Sequence, residues 1–144
     1  MSACRELSFI DAPIQSVWSL VGDPRRFPEW WPRVIEVRGE EIEEGTEYVQ
    51  VTRNPAGKMT TRMLVETRDE LREIRMRCTL TGYYAHWRLT SGQGGTFTEV
   101  EFGMDPERPS DRVFDVVLGR IYWRRWLKES LRGLRTRARA QAQV

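Results

Sequence analysis

Residues 34–104 constrain the fold most strongly, because apolar and polar residues alternate there and no helical period interrupts them. The alternation is clearest at 71–79, where Ile74, Met76 and Cys78 are separated by charged residues. A period of two places successive side chains on opposite faces of a strand. Turn-forming residues interrupt the region at 44–45, 54–57, 68–70, 81–82 and 91–95. The region therefore predicts an antiparallel meander with one wet and one dry face.

Helical signals lie before the meander. Residues 11–13 and 23–24 each combine a capping residue with a proline at the first helical position. Two short helices are predicted, one over 13–21 and one that begins at Pro24 and ends near 30–32.

The longest helix is predicted after the meander, from Ser110 or Asp111 to about Arg139. With a first strand at 2–10, we expect six or seven strands and one domain over residues 1–144. The fold class is α+β: a curved antiparallel sheet around a long C-terminal helix, with two short helices after the first strand.

Composition excludes several classes of function. No apolar run approaches the ~20 residues that cross a bilayer, and the polar N-terminus favours a cytoplasmic protein over a secreted one. Cys4 and Cys78 lie far apart, which indicates buried thiols. His86 is the one histidine, and the acidic residues show no ligand spacing, so neither a metal nor a cofactor is expected.

The opening of the chain carries a resemblance to a known family. Residues 10–24 read IDAPIQSVWSLVGDP and residues 27–32 read FPEWWP, and residues 86–89 and 94–96 agree further along. The chain resembles the Bet v 1-like, or START-like (SRPBCC), superfamily, in its polyketide cyclase/dehydrase and lipid-transport branch. The resemblance implies a helix-grip fold with a deep cavity between the concave face of the sheet and the long helix.

Two arginines interrupt the apolar stripe of the predicted long helix. Arg120 and Arg124 lie in the middle of a stripe formed by Val113, Val116, Val117, Leu127, Leu131 and Leu134. In a cavity, two guanidinium groups would donate to a carboxylate, phenolate or enolate oxygen. The alternative is that both extend to solvent or pair with a strand carboxylate.

Further residues are candidates for the wall of the cavity. Trp30 and Trp31 suit either a cavity mouth or the core, and Met59 and Met63 suit either an adaptable pocket or core packing. Trp123 and Trp126 are expected towards the edge or back of the long helix. The full set of predicted ligand-binding residues is Trp30, Trp31, Tyr48, Met59, Met63, Met76, Trp87, Phe102, Val117, Arg120, Ile121 and Arg124.

Candidates for catalysis are few. Strand parity puts His86 on the outer face if Trp87 points inward, so His86 and Tyr84 are weak candidates beside Arg120 and Arg124. An enzyme of the polyketide cyclase kind would also use Tyr48, Tyr84 or Tyr122 to move protons.

These observations leave three hypotheses. The first is a carrier or sequestering protein for a hydrophobic molecule with one anionic or carbonyl oxygen. The second is a cofactor-independent polyketide cyclase or dehydrase, and the third is a module that binds a protein partner. Neither nucleic-acid binding nor stable membrane insertion is expected, and the protein is expected to be a monomer or a homodimer.

Overall fold

The computed structural model describes residues 3–104 and 120–143, and of residue 120 the backbone alone. Seven strands and one long helix dominate it. The strands are β1 (Cys4–Ile10), β2 (Val34–Arg38), β3 (Glu47–Asn54), β4 (Gly57–Asp69), β5 (Glu73–Cys78), β6 (Tyr83–Gly92) and β7 (Gly95–Met104). The helices are α1 (Ile14–Val21), a 3-10 turn (Pro24–Arg26), α2 (Phe27–Trp30) and α3 (Arg120–Ala142).

The strands form one antiparallel sheet in the order β1-β7-β6-β5-β4-β3-β2. Consecutive strands from β2 to β7 are neighbours, which is the predicted meander, and β1 closes the far edge beside β7. The sheet curls, and α3 packs against β1 and β7 as well as against α1 and α2. This is the α+β helix-grip architecture that the sequence predicts.

The two short helices begin at the predicted prolines. Pro13 is the N-cap of α1 rather than its first helical residue. Asp23 caps the 3-10 turn, because its carboxylate accepts a hydrogen bond from the backbone N–H of Arg25 at 3.0 Å. The indole N–H of Trp30 donates to the carbonyl of Leu20 at 3.1 Å, which ties α2 to α1.

An aromatic cluster fills the core between the short helices, the sheet and α3. Trp31 stacks on Phe102 with ring centroids 5.8 Å apart, and it meets Trp87 edge-on at 5.4 Å. Phe102 in turn contacts Trp126 of α3 at 5.2 Å. Such contacts combine large apolar burial with preferred ring geometries, so this end of the concave face is solid.

The face of α3 that packs onto the sheet differs from the predicted stripe. Leu127, Leu131 and Leu134 are buried as expected, but Trp126 is also buried, with 4% of its surface exposed. The prediction that Trp126 lies at the edge or back of the helix was wrong. The predicted helix start and the three valines of the stripe lie outside the described residues. At the other end, α3 extends past Arg139 to Ala142.

Gly133 of α3 lies close to the backbone of α2. A Cβ atom placed there would lie 2.1 Å from the carbonyl oxygen of Trp30. Only glycine gives the helix room at this point.

Leu71 differs from the prediction. It lies in the β4–β5 turn with a φ of 65° rather than in a strand.

Candidate functional site

A cavity of about 530 Å³ lies between the concave face of the sheet and the described start of α3. Its volume is within the ~300–1,000 Å³ range of small-molecule pockets. It occupies the end of the sheet near the β3–β4 hairpin, away from Trp30 and Trp31. The described residues that line it are Gln50, Thr52, Asn54, Pro55, Ala56, Met59, Thr61, Met63, Cys78, Thr81, Tyr83, Met104, Tyr122, Trp123 and Trp126.

Strand register aligns one row of inward-facing side chains across four neighbouring strands. Tyr48 of β3 pairs with Met63 of β4, and Met63 pairs with Cys78 of β5. Because Arg77 pairs with Tyr84 on β6, the next step along the turn sets Cys78 beside Tyr83. The curl of the sheet therefore brings Tyr48 and Tyr83 towards each other across one row of side chains.

Two buried polar atoms that belong to residues lining the cavity have no hydrogen-bond partner among the described residues. They are the hydroxyl of Tyr83 and the side-chain oxygen of Gln50, and both are buried. The amide nitrogen of Gln50 donates to Thr52 at 3.4 Å, which leaves its oxygen unpaired. Behind the wall, the buried hydroxyl of Tyr48 also lacks a partner. A buried polar group without a partner carries a desolvation cost of ~1–3 kcal/mol.

Burial also sets the charge of these phenols. Desolvation raises the pKa of Tyr83 well above its ordinary value, and the nearby Tyr48, Tyr122 and Cys78 raise it further. Burial raises the pKa of Tyr48 in the same direction. Both side chains are therefore neutral hydrogen-bonding groups at physiological pH.

The cavity wall carries no charged side chain among the described residues. Arg124 is exposed rather than directed to the cavity, and Ile121 is 74% exposed, so the structure places both away from the wall. The helix is rotated relative to the predicted stripe, and Trp123 and Trp126 face the cavity instead. Val117 and the side chain of Arg120 lie outside the described residues.

The remaining predicted wall residues divide between cavity and core. Met59 and Met63 line the cavity, with Met59 half exposed at its mouth. The others are buried and face the concave side without lining the cavity. They are Trp30, Trp31, Tyr48, Met76, Trp87 and Phe102.

Tyr84 and His86 lie on the convex face of the sheet, on the opposite side from the cavity. The Tyr84 hydroxyl donates to Glu101 at 2.5 Å, and Glu101 also accepts from Arg5. His86 lies 3.3 Å from Glu73. As strand parity predicts, Trp87 points inward and His86 outward. Neither Tyr84 nor His86 reaches a molecule held in the cavity, so both are removed as catalytic candidates there.

The electrostatics of His86 follow from its surroundings. Desolvation lowers its pKa, the positive charge of Arg88 lowers it further, and Glu73 opposes both effects. His86 is therefore neutral at physiological pH.

Sequence reasoning overlooked several wall residues that parity was able to find. Tyr83 shares a face with Trp87 on one strand, and Gln50 lies two residues from Tyr48 on another. Once Trp87 and Tyr48 are assigned inward, Tyr83 and Gln50 follow. The turn at 54–56 carries no comparable signal, because turns lack a face.

Other kinds of site have no support in the described residues. They contain no cluster of three or more histidine, cysteine or acidic side chains arranged for a metal ion. Cys4 and Cys78 are both buried and form no disulfide. No described helix combines the length and apolar character needed to cross a bilayer.

Solved structures with the same fold are numerous. Protein NE0264 from Nitrosomonas europaea has a TM-score of 0.77 at 15% identity, over 99% of this chain and 97% of that one. TTHA0849 from Thermus thermophilus has a TM-score of 0.76 at 19% identity, over 98% and 99%. The di-domain ARO/CYC StfQ of the steffimycin biosynthetic pathway has a TM-score of 0.69 at 20% identity, over 98% of this chain and 50% of that one. At these identities the likeness shows the fold alone.

Sequence comparison supplies the family. No curated protein matches this chain. The sequence model of the family described as polyketide cyclase/dehydrase and lipid transport matches residues 5–139, which is nearly the whole chain. The chain therefore belongs to the polyketide cyclase/dehydrase and lipid-transport family.

Proposed function

We propose that this protein binds an uncharged, largely apolar small molecule in the cavity beside the β3–β4 hairpin, and that it carries or sequesters this molecule. The observation that carries the proposal is the cavity itself, about 530 Å³ in volume. Met59, Met63, Trp123 and Trp126 supply apolar surface to it. Burial of apolar ligand surface against such a wall contributes about 25 cal/mol per Å² before the costs of association.

The absence of charge on the described wall favours a neutral ligand over an anion. A carboxylate placed there would lose its hydration and find no cation among the described wall residues, which is a large cost. The sequence-based expectation of an anionic oxygen depended on Arg120 and Arg124. Arg124 is exposed, so this cation does not support it.

The cyclase hypothesis has less support from the described residues. Proton transfer at neutral pH is most efficient for a group whose pKa lies near 7. Burial raises the pKa of Tyr83 and Tyr48 far above that range, and His86 and Tyr84 lie on the other face of the sheet. Tyr122, the third tyrosine named for this hypothesis, lines the cavity, but no histidine or carboxylate accompanies it among the described lining residues. Binding without chemistry therefore agrees better with this wall.

Native mass spectrometry tests the proposal. Protein purified from its own host is expected to retain an uncharged ligand that dissociates on unfolding. Thr61→Trp is expected to weaken retention, because Thr61 lines the cavity and the larger side chain takes up part of its volume. The matched control is Thr60→Trp, since Thr60 is exposed on the adjacent, outward-facing position of β4. The control is expected to retain the ligand.

Two results would contradict the proposal. One is a protein that arrives empty and binds no neutral apolar probe, such as 2-methylnaphthalene. The other is equal ligand retention by Thr61→Trp and Thr60→Trp, which would place the ligand outside this cavity.

A further inference from the structure

The unpartnered polar atoms on the cavity wall specify more than apolar character. Among the described buried side-chain atoms that lack a hydrogen-bond partner, two belong to residues that line the cavity: the Tyr83 hydroxyl and the Gln50 side-chain oxygen. Buried polar groups in folded proteins are nearly always paired. A wall that leaves two of them unpaired is complementary to a ligand that pairs them.

The two atoms require different hydrogen-bonding partners. The Gln50 oxygen only accepts hydrogen bonds, so its partner must be a donor such as a hydroxyl. The Tyr83 hydroxyl has a proton to donate, so its natural partner is an acceptor such as a carbonyl oxygen. The Tyr48 hydroxyl, close enough to Tyr83 to influence it electrostatically, adds a second phenol behind the first.

We infer that the ligand is a neutral hydroxy-carbonyl compound, with a carbonyl oxygen that accepts from Tyr83 and a hydroxyl that donates to Gln50. This inference rests on the proposed function, because it names the chemical class of molecule held in the same cavity. The two polar atoms are themselves covered, so the inference requires that neighbouring side chains on the wall shift to let the ligand reach them, a change that is common at binding sites.

The lack of charged side chains on the described wall adds a second expectation, which is that a neutral ligand binds more tightly than an anionic one. A carboxylate offers acceptors to Tyr83, but it brings a full charge into a wall with no described cation. Replacing the ketone of a ligand by a carboxylate therefore weakens binding, although the number of oxygen acceptors rises.

A matched series on one ring system tests the inference by fluorescence titration or calorimetry. The probes are 6-acetyl-2-naphthol, 2-acetylnaphthalene, 2-naphthol, 2-methylnaphthalene and 6-hydroxy-2-naphthoate. Each hydrogen bond is expected to tighten binding by about fivefold, which corresponds to a typical net contribution of a hydrogen bond. Hence 6-acetyl-2-naphthol should bind most tightly and 2-methylnaphthalene most weakly among the four neutral probes. The carboxylate should bind at least about tenfold more weakly than 6-acetyl-2-naphthol.

Two conservative variants test which ligand group binds the Tyr83 hydroxyl and which binds the Gln50 oxygen. Tyr83→Phe should weaken 6-acetyl-2-naphthol and 2-acetylnaphthalene about fivefold and leave 2-naphthol unchanged. Gln50→Met should weaken the two hydroxyl-bearing neutral probes and leave 2-acetylnaphthalene unchanged. Circular dichroism verifies that each variant folds, and the wild-type ranking of the probes tests the ligand class without any variant.

The outcomes separate this inference from the proposed function. Equal affinity for all four neutral probes would overturn the hydroxy-carbonyl class while leaving an apolar binding cavity in place. A carboxylate that binds as tightly as the ketone would overturn the selectivity. Failure of every neutral probe to bind would overturn the proposed function, and this inference with it.

Discussion

Replacing Tyr83 by phenylalanine is expected to stabilise the ligand-free protein. The Tyr83 hydroxyl is buried on the cavity wall without a partner among the described residues. Removing such a group relieves a desolvation cost of about 1–3 kcal/mol. The lost oxygen leaves a void of roughly 10 Å³, which costs only a few tenths of a kcal/mol. The net expectation is a gain of about 1–2 kcal/mol in the free energy of unfolding.

The neighbouring residue supplies a control of opposite sign. Tyr84 has the same side chain on the other face of β6, and its hydroxyl donates to the carboxylate of Glu101. Tyr84→Phe removes a hydrogen bond to a charged group, so it is expected to lower the free energy of unfolding by about 1.5 kcal/mol or more. We therefore expect two adjacent residues of β6 to have hydroxyls of opposite effect: that of Tyr83 lowers the free energy of unfolding, and that of Tyr84 raises it.

Urea denaturation measures both changes. The protein is first unfolded and refolded to remove any molecule carried over from the host, because a bound ligand would stabilise wild type selectively. For a chain of this length the expected gain in Tyr83→Phe is a rise in Tm of roughly 3–8 °C. If stripped Tyr83→Phe protein is less stable than wild type, the hydroxyl has a partner and the hydrogen-bond argument for the ligand fails.

Three further predictions test other parts of the structure. Because burial and Arg88 hold the pKa of His86 below its ordinary value of 6.5, protonation is disfavoured in the folded state. We therefore expect the contribution of His86 to the free energy of unfolding to be complete above pH 6.5 and to decrease as the pH falls below it. His86→Gln should flatten the dependence of the free energy of unfolding on pH between pH 7 and 5.5. Gly133→Ala is expected to cost at least about 1–3 kcal/mol by overpacking against the Trp30 carbonyl, although alanine favours helices; a thermal melt as stable as wild type would show that α3 shifts freely. Arg124→Ala is expected to change the free energy of unfolding by less than about 0.5 kcal/mol and to leave probe affinity unchanged, since Arg124 is exposed. A tenfold loss of affinity would instead indicate that Arg124 contacts the bound probe.

Strand periodicity predicts most of the fold because a period of two leaves little freedom. Once Trp87 is assigned inward, His86 must point outward, and pairing with β5 and β7 carries that assignment across the sheet. Turn residues fix where each strand ends. The order of elements then permits few architectures other than a sheet curled around one helix.

The orientation of the long helix was predicted less well, for a physical reason. A helical stripe is broad, so a shift in its assumed centre moves residues at its edge from buried to exposed. Leu127 and Leu131 stay buried under such a shift, whereas Arg124 leaves the stripe and Trp126 enters it. Residues at the edge of a helical stripe therefore need tertiary contacts for their assignment.

The cavity was harder to predict than the fold, because it forms only where inward-facing side chains do not contact the side chains opposite them. Trp31, Trp87 and Phe102 point inward and touch one another, so they leave no space. Met63 and Tyr83 also point inward and border a void. Periodicity gives direction in both cases, but it says nothing of the distance to the opposite wall.

The position of the aromatic cluster has a consequence for how this protein is able to change. Trp31, Phe102 and Trp126 form a solid floor that supports the sheet and the long helix. Met59 and Thr61 lie beyond it, near the hairpin, where they border the void and where Met59 is half exposed. Substitutions near the hairpin therefore reshape the cavity without disturbing the interactions that hold the domain together. A lineage that starts from this chain is free to change the shape and the lining of this cavity through the hairpin residues, while the floor stays fixed.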